Sequence, residues 1–120
     1  MAFMFEKLDV YQKAADFADE IAARTEGFAR GYGFLADQLN RAALSIATNI
    51  AEGNGRFNKP DRRHFFTIAR GSSQECVPAI EVARRRGLIR GDAALALRER
   101  VEVIAKMISG LINGLENRPG

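Results

Sequence analysis

The chain has 120 residues, 47% apolar and 28% charged, with a formal net charge of +3. That is the balance of one soluble globular domain, neither a disordered nor a membrane chain. One cysteine and one histidine exclude an intramolecular disulfide and, in practice, a structural zinc site.

The first apolar run, Leu8, Tyr11, Ala14, Ala15, Ala18, Ile21 and Ala22, recurs at helical spacing, with Val10 and Phe17 widening it at the side. It predicts a helix over 8–26, ended by a loop that Gly27, Gly31 and Gly33 mark. Leu35, Leu39, Ala42, Ala43, Ile46 and Ile50 predict a second helix over 35–52, stopped by Gly53-Asn54-Gly55.

Asn58 as N-cap and Pro60 in the first turn open a third helix over 59–86. Its stripe is Phe65, Ile68, Ala69, Ser72, Cys76, Ala79, Ile80 and Ala83, and Pro78 within it predicts a kink. Asp92 is read as the cap of a fourth helix over 93–116. Its stripe of Leu97, Val101, Ile104, Ile108, Leu111 and Leu115 steps by alternating fours and threes, as a bundle helix requires. The tail from Asn117 is expected to fray.

Short loops and the absence of period-two alternation imply an all-α, antiparallel up-and-down four-helix bundle in one domain, 1–120. The sequence shows neither a signal peptide nor an apolar run long enough to span a bilayer, so a cytoplasmic location is expected. Six phenylalanines, Phe3, Phe5, Phe28, Phe34, Phe57 and Phe66, exceed what one seam per helix can hold, so self-association is expected to cover some of them.

Charge is uneven along the chain. Residues 41–90 hold ten basic against four acidic side chains, which hints at an anionic partner. Arg56, Lys59, Arg62 and Arg63 surround the second loop at a helix N-terminus, where the dipole does not call for cations, and form the candidate nucleic-acid contact. Arg84, Arg85, Arg86 and Arg90 cluster at the third loop. There, complementing the C-terminal dipole is a sufficient explanation for the run 84–86.

Arg41, Ser45, Asn49 and Glu52 share one face of helix two, and Arg70, Ser72 and Glu75 lie at comparable depth on helix three. They are read as a polar seam or subunit contact, with a Glu52–Arg70 ion pair expected. His64 is the single residue on which a nuclease would have to lean, and one histidine is not a site. Cys76 reads as a small core residue. Gly110 and Gly114 read equally as a close helix contact or as chance. No metal or cofactor is expected.

The stretch from Gln38 to Gly53, QLNRAALSIATNIAEG, resembles the hallmark of the four-helix proteins encoded in 23S rRNA intervening sequences. Ala69-Arg70-Gly71-Ser72 with Glu75 resembles that family's second motif. Lys7 to Tyr11 and Lys106 to Ile112 resemble its first and last helices. Pro78 departs from its pattern. The resemblance implies a bacterial protomer of a homopentameric ring without known enzymatic activity. A relative of the family, the accessory variability determinant protein of diversity-generating retroelements, is a pentameric barrel that binds nucleic acid and a reverse transcriptase. By that analogy RNA or DNA is the expected partner, and a protein-binding adaptor is the alternative.

Overall fold

The computed structural model describes residues 3–116, so the tail from Asn117 lies outside the described residues. A short 3₁₀ turn, Met4–Lys7, leads into α1 (Asp9–Glu26), α2 (Gly33–Asn54), α3 (Lys59–Arg85) and α4 (Gly91–Glu116), and the described residues include no strand. The body measures 51 × 28 × 20 Å, long and about two helices wide.

Antiparallel order follows from the cross-links. Along α2, contacts to α3 run from Tyr32–Arg86 through Ser45–Ser72 to Gly53–Phe66, one number rising as the other falls. Arg70–Ser109 and Arg63–Glu116 give the same order for α3 and α4. Each helix packs on its chain neighbour, most broadly α2 on α3, while α1 and α4 meet along a thinner seam.

The third helix opens as expected, with the Asn58 Oδ1 accepting from the Asp61 N–H at 2.8 Å. It continues through Pro78, which is exposed. Its end is a Schellman turn: Leu88 N–H donates to the Ala83 carbonyl and Gly87 N–H to that of Arg84, with Gly87 at φ +74°. Only glycine adopts that φ without strain. The fourth helix starts two residues early, so Asp92 lies in its first turn, where its carboxylate accepts from the Ala93 N–H.

The buried stripes of α2 and α4 agree with expectation, except that Ile112 replaces Leu111 at the core. In α1 the centre of the stripe shifts. Val10, Ala14, Phe17 and Ile21 are buried, whereas Tyr11, Ala15 and Ala18 are half-buried and Ala22 is exposed. In α3 Phe66 takes the core place expected of Phe65, and Ile68 is exposed.

Gly53 does not end α2. The helix runs through it to Asn54, and glycine is needed there because a Cβ would stand 2.7 Å from Phe66 Cε1 and 3.2 Å from the Arg62 carbonyl. Gly110 and Gly114, by contrast, have nothing within 4 Å of an added Cβ, so the GxxxG pair makes no close helix contact within the protomer.

The α1–α4 seam is closed by a clasp. Glu20 accepts from Arg24 Nε at 2.8 Å and from Arg100 Nη1 at 2.6 Å, and the Arg100 guanidinium lies over the Phe17 ring. Hydrogen bonding by Arg24, assisted by Arg100, holds the Glu20 carboxyl below its ordinary value against a smaller effect of burial. A depressed carboxylate adds stability above its unfolded-state value and loses it as pH falls through the folded one. Glu20→Gln is therefore expected to cost about 0.5–1 kcal/mol at neutral pH. The gap to wild type should close on acidification below pH ~4, read by urea unfolding across that range. A gap that widens with acid would contradict the sign.

Candidate nucleic-acid interface

The α2–α3 connection brings Arg56, Lys59, Arg62 and Arg63 to one end of the bundle, and the fold gives three of them definite work. Arg56 pairs with Glu52 one turn earlier in α2, and its guanidinium lies 4.7 Å from the centroid of the Phe65 ring. Arg62 donates from Nη1 to the carbonyls of Asn54 and Arg56 at 3.0 and 3.2 Å, so it caps the C-terminal end of α2. Arg63 reaches across to Glu116 at the end of α4, at 2.5 Å. Lys59 lies nearby and lines a shallow hollow with Pro60, Arg63, Leu115 and Glu116.

Between these residues stands Phe57, which sequence reading set among the aromatics to be covered. Its exposure is 104% of the reference, so the residue is fully open to solvent in the protomer. His64, also exposed, stands edge-on to Phe65 with the ring centroids 5.1 Å apart.

The polar seam exists in part. Ser45 Oγ and Ser72 Oγ lie 2.7 Å apart between α2 and α3, and Asn49 Nδ2 donates to the Ser45 carbonyl and hydroxyl at 2.9 and 3.0 Å. The expected Glu52–Arg70 pair does not form. Glu52 is taken by Arg56 on its own helix, while Arg70 points to α4 and donates to Ser109 Oγ at 3.4 Å. Arg41 and Glu75 are exposed and have no hydrogen bond or ion pair within the described residues.

Cys76 is buried, and burial, with a smaller effect of Glu75, pushes its thiol up to about 12. A thiol so far above neutrality is not a nucleophile at physiological pH.

A third feature was only half legible. The half-buried apolar side of α1 and the adjoining side of α2 form an open groove, lined by Phe5, Tyr11, Ala15, Ala18, Leu44 and Ala51 among others. Leu44 on its rim is 58% exposed. Ala15 and Ala18, expected in the core stripe of the first helix, are half-buried, and their small size leaves a shallow trough along the outside.

The family model of the 23S rRNA-intervening sequence protein matches residues 6–110. A solved protein of unknown function from the S23 ribosomal protein family of Bacteroides thetaiotaomicron superposes with a TM-score of 0.79. It is 21% identical, and the match covers 86% of this chain and 97% of that one. At that identity the likeness bears on the fold. No curated protein matches. Among the described residues no helix is long and apolar enough to cross a membrane.

Proposed function

Because this chain belongs to the 23S rRNA-intervening sequence protein family, we propose that it works by assembling and holding rather than by catalysis, as a homo-oligomeric helical protein whose expected ring has five protomers. The observation that carries this reading is the uncovered trough between α1 and α2. Small residues along it let another helix approach closely, and each apolar group taken from water adds roughly 25 cal/mol per Å². The apolar side chains exposed elsewhere, Ile68 and Val82 on α3 and Leu95 and Val103 on α4, do not line this trough. A contact between unlike faces is heterologous, and such contacts close into rings when the rotation permits.

Light scattering should give a mass near five times the 13.2 kDa protomer. Leu44→Asp is expected to reduce it to the protomer mass while leaving the helical circular dichroism intact, because Leu44 is more than half exposed and lies outside the core. A wild-type mass of one protomer at micromolar concentration would overturn the proposal.

A second reading, contact with RNA or DNA at the α2–α3 end, is favoured by one observation, the fully exposed Phe57 next to Arg56 and close to Lys59 and Arg63. Bases stack on such a ring, and cations hold the phosphates. Binding that weakens with salt and with Arg63→Gln supports it. Binding of a protein that survives both changes and is lost in Phe57→Ala supports the adaptor alternative. His64 lacks a hydrogen-bonded acid or base partner among the described residues, so His64→Ala is expected to leave function unchanged, and loss of an RNA-cleaving activity in that variant would restore the nuclease reading.

A further inference from the structure

The α1–α2 and α3–α4 connections meet at the end of the bundle opposite Phe57, and Arg86 joins them. Its guanidinium lies over the Tyr32 ring, 5.5 Å from the centroid, and donates from Nε and Nη2 to the phenol oxygen at 2.9 and 2.7 Å. A phenol, unlike a carboxylate, does not neutralise the guanidinium it binds. Arg84 and Arg85 share one carboxylate, Glu81, which bonds to both and is held down to about 2 by them. Arg30, in the α1–α2 connection, is exposed and has no hydrogen bond or ion pair among the described residues.

Here Arg30 and Arg86 face no carboxylate, Arg84 and Arg85 share one and Arg90 pairs with Asp92, whereas at the α2–α3 loop Arg56 and Arg63 each face a carboxylate and Arg62 is bonded to carbonyls. An aromatic accompanies this cluster: Phe34, in the first turn of α2, is 67% exposed, with its centroid 6.3 Å from that of Tyr32. Complementing a helix C-terminus accounts for Arg84 and Arg85. It does not account for Arg30, which precedes the N-terminus of α2, where the dipole opposes a cation.

We propose that this end of the bundle binds single-stranded nucleic acid, with phosphates on Arg30, Arg85 and Arg86 and an unpaired base stacked on Phe34. A duplex keeps its bases stacked inside, so only a single strand can use the ring. This surface is separate from the α2–α3 loop, and the two fail separately.

The test is fluorescence anisotropy of a labelled, unstructured RNA strand and of its duplex, titrated at several salt concentrations against the full chain. Arg30→Gln/Arg85→Gln is expected to weaken strand binding and to lower the slope of log affinity on log salt by about 1.4, the counterions of two single-strand phosphates. Phe34→Ala is expected to weaken binding of the strand by about tenfold and to leave the duplex unchanged. All three residues are exposed, so the variants are expected to fold, which circular dichroism checks. If Arg63→Gln alone weakens binding, the strand sits at the α2–α3 loop and this proposal is overturned while the loop reading stands. If neither set of changes matters, both are overturned. Equal effects of Phe34→Ala on strand and duplex would overturn the stacking and with it the preference for single strands.

Discussion

Phe17→Ala is expected to lower the unfolding free energy by about 3–5 kcal/mol, the range for truncating a buried phenylalanine. Phe17 is 0% exposed, and it lies where α1 and α4 meet along their thinner seam. Where the loss falls in that range is set by how far α1 and α4 close over the space the ring leaves. The Arg100 guanidinium above the ring would also lose its aromatic platform. Urea unfolding followed by circular dichroism measures the effect, and protein concentration must be held fixed because assembly contributes to apparent stability. A loss below about 1 kcal/mol would mean that α4 settles onto α1 and that the seam is softer than its packing indicates.

Gly53→Val is expected to cost about 2–3 kcal/mol, although removing a glycine from a helix interior by itself favours the helix by a few tenths. The added Cβ would stand 2.7 and 2.8 Å from two carbons of Phe66, whose ring is 1% exposed and cannot swing outward. The third near atom is the backbone carbonyl of Arg62, so the opposing helix itself would have to move. Combining Gly53→Ala with Phe66→Leu should be less damaging than the separate losses predict, because the smaller partner makes room. A double-mutant cycle that adds to within about 0.5 kcal/mol would show that the two sites do not touch.

The helices were legible because four stripes of helical period are separated by glycine and capping signals. What was not legible follows from choices that periodicity leaves open. In α1 two adjacent stripes share the same spacing, Tyr11-Ala15-Ala18-Ala22 and Val10-Ala14-Phe17-Ile21. The bulkier one fills the bundle, while Tyr11, Ala15 and Ala18 of the other line the external trough. Phe65 and Phe66 are neighbours of one type, and only the space above Gly53 decides which enters the core. Gly53 itself reads locally as a helix stop, whereas its purpose is set by a residue 13 positions later.

The site was less legible than the fold. Arg62 has the chemistry of a phosphate ligand, but its acceptors are the carbonyls of Asn54, at the end of α2, and of Arg56 in the loop that follows. Nothing in the order of residues ties Arg86 to Tyr32, 54 positions away. The balance between the two basic ends therefore depends on long-range partners, which composition along the chain does not reveal.

Packing by chain neighbours also bears on how the molecule forms. Three of its four helix pairs, α1–α2, α2–α3 and α3–α4, join elements consecutive in sequence, so each can close as a hairpin at little loop entropy. Such low contact order belongs to fast folders. The α1–α4 pair alone spans nearly the whole chain, with Glu20 and Arg100 80 positions apart. The α2–α3 hairpin, the broadest contact, is thus the expected nucleus, and joining the two ends of the chain is expected to come last.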